Sequence, residues 1–335
     1  MQLENNVVLK YIEQFGVIPI SIERLKKGSA SLYYVNASND KQYVLKVYEP
    51  KHSYEVISRD HKITTYLQNN GIPAPTYIST PAGTVLGKEG SYYSLMERIP
   101  GYSIGDNGSS NAQLYDSAIF YAKIVNALKN CPIDFPLFDL SKFSTAFIES
   151  VQAQFEDLIH SGDYDIQRLV TKKREILHNL IRLIDVSDFY NLSFLNSHGD
   201  YTHFQLLYDD GGRICGVLDF LSAKKTPPIW ELFRCFIYQS NSYNQVNGAF
   251  SVSALVKFIR SYTLLSSLSK YDVMHMIPLY AYYAATSLFG IKQYMAKDDP
   301  VAFSLAKTIF IQSSYLIENY SSIQNTFEEQ FHDYE

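Results

Sequence analysis

Ser193-Phe-Leu-Asn-Ser-His-Gly-Asp200 is followed by Tyr201-Thr-His-Phe-Gln-Leu-Leu-Tyr208, the turn Asp209-Asp-Gly-Gly212 and Arg213-Ile-Cys-Gly-Val-Leu-Asp-Phe220. The apolar runs on either side of Asp-Gly-Gly predict a β-hairpin, because glycine accepts the positive φ that tight hairpin turns require. Folding this hairpin brings its two ends together. We therefore expect Asp200 and Asp219, one at each base of the hairpin, to lie within reach of a single reaction centre.

Two carboxylates in this arrangement suit the transfer of a phosphoryl group to a hydroxyl. One carboxylate accepts the proton of the alcohol, and the other holds Mg²⁺ against the charged phosphate oxygens. Gln205 follows Asp200 at the start of the first strand of the hairpin. Its side-chain carbonyl is a neutral oxygen ligand that would complete the metal site.

The hairpin interrupts a region whose apolar spacing is otherwise helical, whereas the first hundred residues have the pattern of strands. The predicted strands are Leu32–Val35, Gln42–Tyr48, Thr76–Ser79 and Ser91–Met96, with one helix at Glu55–Asn70. The predicted later helices are 111–129, 143–160, 166–184, 229–240, 251–267 and 271–317, the last broken near Asp298-Asp-Pro300. The acidic end, Glu328–Glu335, is expected to be a solvated tail.

Between these two regions, Pro100 to Asn111 is rich in Gly, Ser and Asn, which marks a loop or a hinge. The sequence therefore predicts an α+β chain of two lobes. Residues 1–99 form a small antiparallel sheet with one helix, and residues 100–335 form a larger, mainly α-helical lobe.

Composition limits the class of partner. Lys+Arg 29 against Asp+Glu 34 gives a net charge of −5 over 335 residues, so no basic excess is present to hold a nucleic acid. The N-terminus lacks a secretory signal, and three cysteines without CxxC spacing argue against a disulfide framework or a zinc site. We expect a cytoplasmic monomer or homodimer.

Two further stretches of composition bear on function. Met276–Ile291 is shorter than the roughly 20 residues that span a membrane and contains Pro278, so a buried helix is the better interpretation and no membrane association is expected. Aromatic residues reach 15%. They fill the core or line a cavity for a sugar ring or a quaternary amine, and composition does not choose between these alternatives.

His198-Gly-Asp-Tyr-Thr-His-Phe-Gln205, followed by Val217-Leu-Asp-Phe220, resembles the catalytic loop and metal-binding segment of the aminoglycoside phosphotransferase and choline kinase superfamily. This superfamily includes homoserine and methylthioribose kinases and is related to protein kinases. The resemblance covers nearly the whole chain, because Tyr43-Val-Leu-Lys-Val47, Leu95-Met-Glu-Arg-Ile-Pro-Gly101 and Trp230-Glu-Leu232 follow the family order. It implies a bilobal, protein-kinase-like fold and an enzyme that uses ATP and Mg²⁺.

The resemblance also implies a role for individual residues. Asp200 would be the catalytic base, His198 would orient the loop, and Asp219 with Gln205 would bind Mg²⁺. The expected nucleotide-binding residues are Lys46 for the α- and β-phosphates, Gly28, Ser29 and Ser31 in a turn over the phosphates, and the backbone of Glu97 and Ile99 for the adenine. Glu231 would brace the catalytic loop. The implied reaction is transfer of the γ-phosphoryl group to a hydroxyl of a small molecule.

The chain departs from the family pattern at two of these positions. The family usually has Asn where Gln205 stands, and it usually has Glu in the helix position that pairs with the strand lysine. Asp60 occupies that helix position, with Glu55 as a weaker alternative. These changes keep a second hypothesis open, a non-catalytic nucleotide-binding or ligand-sensing module. A protein kinase is disfavoured, because the chain has no GxGxxG motif and reads His-Gly-Asp in place of His-Arg-Asp.

Overall fold

The N-terminal region is a five-stranded antiparallel sheet with two helices, one before the first strand and one after the third. A computed structural model describes residues 4–25, 30–104, 108–240 and 247–334. Strands β1 to β5 are Pro19–Leu25, Ser31–Ala37, Gln42–Val47, Gly87–Glu89 and Ser91–Glu97, in the spatial order β1-β2-β3-β5-β4. Helices α1, Asn5–Glu13, and α2, Tyr54–Asn69, precede β1 and follow β3.

The rest of the described chain is mainly helical. Helices α3 to α11 are Asn111–Leu128, Thr145–Ile159, Tyr164–Leu183, Pro228–Gln239, Val252–Thr263, Lys270–Thr286, Phe289–Lys297, Pro300–Glu318 and Tyr320–Gln330. Two short antiparallel pairs interrupt them, formed by β6, Leu195–Ser197, with β9, Lys224–Thr226, and by β7, Leu206–Tyr208, with β8, Ile214–Val217. This α+β architecture confirms the predicted fold class.

Two hydrophobic cores lie in these two regions. The smaller core packs one face of the sheet, with Leu45 and Leu95 at its centre, against Val8 and Ile12 of α1. The larger core fills the helical region and also takes in Ile63 and Leu67 of α2. Helix α2 therefore connects the sheet to the helical lobe, although the lobe boundary at residues 99 and 100 stays a prediction.

The hairpin forms where the Asp-Gly-Gly turn predicts it. Leu206 pairs with Val217, and the turn is closed by the Asp209 carbonyl, which accepts from the Gly212 amide at 2.8 Å. Gly212 has φ +74°, the conformation for which glycine is suited. The first strand is shorter than expected, because His203–Gln205 form a 3₁₀ turn before β7 begins.

Three of the predicted elements are wrong in detail. Thr76–Ser79 is not a strand, because its pairing with β5 is limited to one bridge from Tyr77 to Met96 and the hydrogen bonds on either side of it, from the Glu97 amide to the Thr76 carbonyl and from the Ile78 amide to the Leu95 carbonyl. The predicted helix over 271–317 breaks at residues 287–288 as well as at Asp298, whose φ is +51°. The C-terminal end is not a solvated tail, since α11 extends to Gln330 and Phe331 is fully buried.

Candidate active site

His198 and Asp200 lie on the loop between β6 and β7, and the loop is held by its own hydrogen bonds. The Asp200 amide donates to Nδ1 of His198 at 3.3 Å, and Nε2 of His198 donates to the Leu218 carbonyl at 2.8 Å. Gly199 between them has φ +83°, and a Cβ there would lie 1.8 Å from the Ser222 carbonyl oxygen. The fully buried His198 ring thus ties the start of the catalytic loop to the residue before Asp219.

Asp219 follows the second hairpin strand in a left-handed conformation, with φ +69°. Its Oδ1 lies 3.0 Å from Nζ of Lys46, which reaches it from β3 of the sheet. Burial raises the pKa of the Asp219 carboxyl, but the charge and hydrogen bond of Lys46 outweigh burial and leave that pKa lowered. Asp219 is therefore an anionic side chain that remains 37% exposed.

Gln205 lies beside Asp219 in the backbone. The Gln205 carbonyl accepts from the Leu218 amide at 2.9 Å, directly before the Leu206–Val217 pair. The residue is half-buried. The hairpin register therefore brings together the two residues predicted to hold a metal ion. Among the residues that the structure describes, no group of three or more His, Cys, Asp or Glu side chains forms a metal cluster.

Asp60 does not pair with Lys46, contrary to the sequence-based expectation. Its Oδ1 accepts from the Phe220 amide at 2.8 Å, and its Oδ2 accepts from the Tyr77 hydroxyl at 3.1 Å. The Asp60 side chain is fully buried, and burial raises its pKa while the nearby Lys46 charge opposes the rise. An aspartate on α2 reaches the backbone behind Asp219, whereas Lys46 pairs with Asp219 itself. The weaker alternative, Glu55, is exposed at the start of α2.

Helix α6 contacts strand β6 and the loop that follows it at two points. Glu231 is fully buried and bonds the Ser197 hydroxyl, which also bonds the Tyr121 hydroxyl at 2.7 Å. One turn later, Nη2 of Arg234 lies 2.8 Å from Oδ1 of Asp200. Burial disfavours the Arg234 charge, but the Asp200 carboxylate outweighs this and raises the pKa of the guanidinium. Sequence reasoning identified Glu231 and missed Arg234, although its position three residues after Glu231 places both on one helix face.

The segment after β5 joins the sheet to the hairpin. The Glu97 amide donates to the Thr76 carbonyl at 2.9 Å, so the group that Glu97 can offer a nucleotide base is its carbonyl. The Ile99 side chain packs over Gly216 of β8, where a Cβ would approach it to 2.9 Å. Glu97 and Ile99 therefore lie between the sheet and the hairpin.

Only the end of the predicted phosphate-binding turn lies within the described residues. Gly28 and Ser29 lie outside the described residues. Ser31 begins β2 opposite Val47 and next to Leu32, which pairs with Lys46. This register places the end of the turn beside the strand that carries the lysine.

The three cysteines are free, and Cys131 and Cys235 are buried. Within the described ranges, no helix is both long enough and apolar enough to cross a membrane.

The fold occurs in solved phosphotransferases. An aminoglycoside phosphotransferase from Alicyclobacillus acidocaldarius is 12% identical with a TM-score of 0.67, covering 98% of each chain. A microcompartment-associated aminopropanol kinase is 12% identical with a TM-score of 0.65, covering 96% of this chain and 99% of the other. A spectinomycin phosphotransferase in complex with ADP and spectinomycin is 12% identical with a TM-score of 0.64, covering 95% and 99%.

The sequence itself gives a more specific result than these distant structures. A search of curated proteins found no match. The profile of the Phosphotransferase enzyme family matches residues 21–263, which include the strand with Lys46, the catalytic loop, the hairpin and helix α6. The chain therefore belongs to the Phosphotransferase enzyme family.

Proposed function

We propose that this protein is an ATP-dependent kinase that transfers the γ-phosphoryl group to a hydroxyl of a small molecule. The observation that carries the proposal is the link through His198, which hydrogen-bonds the Asp200 amide on one side and the carbonyl before Asp219 on the other. A base and an anionic ligand site are thereby held at one centre. Family membership supports a phosphotransferase.

Asp200 is suited to accept the hydroxyl proton. Arg234 occupies its Oδ1, and the described part of the chain provides no hydrogen-bond partner for Oδ2. In the proposed step the acceptor oxygen forms a bond to the γ-phosphorus, the bond from that phosphorus to the bridging oxygen breaks, and ADP leaves. The proton passes to Oδ2 of Asp200.

The nucleotide would contact both lobes. We assign the phosphates to Lys46 and to the turn of Gly28, Ser29 and Ser31, and the adenine edge to the Glu97 carbonyl and the Ile99 amide. Asp60 would contribute indirectly, by holding the Asp219–Phe220 backbone.

Asp219 and Gln205 suit a divalent cation, because both are hard oxygen donors and the Gln205 carbonyl accepts from the amide of Leu218, the residue before Asp219. We assign them as the Mg²⁺ ligands. When bound, Mg²⁺ would neutralise the charge of the phosphate oxygens. The three free cysteines suit a reducing compartment, and we propose the cytoplasm.

Asp200→Asn tests the proposal. ADP formation is measured with Mg-ATP and a panel of amino sugars, amino alcohols and sugars, with Asp210→Asn as control, since Asp210 is an exposed acid in the hairpin turn. We expect Asp200→Asn to lower acceptor-dependent turnover by about 10²–10⁴-fold. Absence of turnover on the whole panel, with no effect of Asp200→Asn, would refute the proposal.

A second candidate is a nucleotide-binding module without catalysis. It is favoured by the Gln205 substitution and by the absence of the expected contact between Asp60 and Lys46 among the described ion pairs. Gln205→Asn separates the candidates. A large gain in Mg²⁺-dependent ATP binding or hydrolysis would mean that the native metal site is impaired, whereas little change would mean that Gln205 serves as a ligand.

A further inference from the structure

Two neighbouring aromatic rings, those of Trp230 and Phe138, each have a cation of the protein over them. Cζ of Arg234 lies 5.6 Å from the centroid of the Trp230 ring, and Nζ of Lys224 lies 6.0 Å from that of Phe138. The two rings are neighbours, with centroids 5.4 Å apart. Aromatic faces attract ammonium groups. Here each of the two rings already has a cation of the chain itself over it.

Lys224 is held close to the catalytic loop without an acidic partner. Lys224 on β9 pairs with Ser197 on β6, and Ser197 directly precedes His198. The side chain is half-buried, and no carboxylate in the described ranges lies within ion-pair distance of it. Burial lowers the pKa of Lys224, and the positive charges of Lys142 and Arg234 add to this lowering. The negative charges of Glu231 and Asp200 oppose it in part.

Three acids, Asp200, Glu231 and Asp139, act on Lys224 through their charge without lying within ion-pair distance of it. Oδ1 of Asp139 accepts from the Ser141 amide at 3.1 Å. Oδ1 of Asp200 binds Arg234, and Glu231 binds the Ser197 hydroxyl. A half-buried ammonium without a partner gains most from an anion supplied by a ligand, because charge-assisted hydrogen bonds are stronger than neutral ones. A second amine at this place would instead be repelled by both Lys224 and Arg234.

We propose that the acceptor carries a carboxylate or phosphate group near its hydroxyl, and that Lys224, with Arg234 beside it, binds that anionic group. This inference rests on the proposed kinase function and specifies its acceptor. It also bears on the alternatives that composition leaves open, since the Trp230 and Phe138 rings each contact a cation of the protein itself.

The test uses acceptor pairs that differ in charge, with the full-length protein and saturating Mg-ATP. Suitable pairs are 3-hydroxypropanoate with 3-aminopropan-1-ol, and glycerol 3-phosphate with glycerol. Lys224→Met is compared with Lys225→Met, because Lys225 is the exposed neighbour on β9 and successive strand residues point to opposite faces. Thermal unfolding of both variants checks that they are folded.

We expect the anionic member of each pair to be the better acceptor. Lys224→Met should raise its KM by about tenfold or more, the usual effect of losing a hydrogen bond to a charged group, and leave the KM for ATP within about twofold. Lys225→Met should change neither value. Preference for the amine or neutral member, or an unchanged acceptor KM in Lys224→Met, would overturn the inference. A raised KM for ATP alone would also overturn it, because Lys224 would then serve the γ-phosphoryl group.

A binding experiment separates this inference from the proposed function. If no acceptor of either charge is phosphorylated, the kinase proposal fails. Calorimetry with 3-phosphoglycerate in the presence of saturating ADP then decides the anion site. Binding to wild type that is lost in Lys224→Met supports the site, whereas no binding, or equal binding to both proteins, rejects it.

Discussion

Asp60 offers a direct test of how the candidate metal ligand is positioned. Its two carboxylate oxygens accept from the Phe220 amide at 2.8 Å and the Tyr77 hydroxyl at 3.1 Å, in a fully buried site. Asp60→Ala leaves both donors without their acceptor. A buried donor without a partner costs about 1–3 kcal/mol, so the free energy of unfolding should fall by about 2–6 kcal/mol.

The same variant should weaken Mg²⁺ dependence, because Phe220 follows Asp219, whose left-handed backbone at φ +69° needs support from its surroundings. Loss of a residue that orients a metal ligand typically costs about 10–100-fold in metal affinity. We therefore expect the Mg²⁺ concentration for half-maximal ADP formation to rise by about that factor. Asp60→Asn, which keeps an oxygen for the Phe220 amide, should retain most of both properties.

Urea denaturation and a Mg²⁺ titration of activity measure the two effects. Glu55→Ala is the matched control, since Glu55 is an exposed acid on the same helix and should show little change in either assay. If Asp60→Ala lowers the unfolding free energy by less than about 1 kcal/mol, or leaves the Mg²⁺ requirement at the wild-type value, Asp60 does not hold the Asp219–Phe220 backbone. A strong effect on the KM for ATP with no effect on Mg²⁺ would instead favour pairing with Lys46 in the nucleotide complex.

Two further predictions concern buried sites. Burial lowers the pKa of Lys173 from 10.5 to about 7, with its ammonium 2.6 Å from the Ala284 carbonyl. Between these pH values the unfolded chain binds the proton and the folded chain releases it, so the unfolding free energy should rise with pH by up to about 1.4 kcal/mol per unit. Lys173→Met should remove this slope in urea titrations from pH 7 to 9, and a slope equal to wild type would contradict the assignment. Gly199→Ala should abolish activity and lower the melting temperature more than Gly162→Ala. Both glycines have positive φ, but an added Cβ would meet the Ser222 backbone only at Gly199. Equal effects of the two substitutions would mean that this close contact is unimportant.

The parts of the fold that the sequence predicts are those governed by short-range signals. The Asp209-Asp-Gly-Gly212 turn and the spacing of apolar residues in α3 to α7 act within a few residues, so these elements are where the pattern places them. Strand β1 was not among the predicted strands, and its residues do not alternate between buried and exposed positions in the structure. Helix α1 carries a helical signal in the sequence, because Val8, Tyr11 and Ile12 recur at helical spacing and are buried.

The structure brings Lys46 to Asp219 and His198 to the backbone before Asp219, and these partners depend on long-range contacts that no local pattern reports. Asp60 bonds an amide 160 positions later, and Arg234 meets Asp200 from 34 positions further along the chain, beyond strands β7, β8 and β9. A family pattern that expects glutamate at the helix position gives the wrong partner for Asp60. The shorter side chain changes which group it can reach, and only the packing of α2 against the Phe220 segment decides it.

The two carboxylates that the hairpin brings together are held by different parts of the molecule. Asp200 is fixed within the helical lobe, by Arg234 of α6 and by His198, whose neighbour Ser197 is bonded to Glu231 of the same helix. Asp219 instead depends on the N-terminal region, through Lys46 of β3 and, by way of Phe220, through Asp60 of α2. A shift of the sheet relative to the helical lobe would therefore alter the contacts of Asp219 and leave those of Asp200 in place. The proposed nucleotide and metal binding should respond to such a shift, whereas the contacts of α6 with the loop that carries Asp200 should keep their geometry.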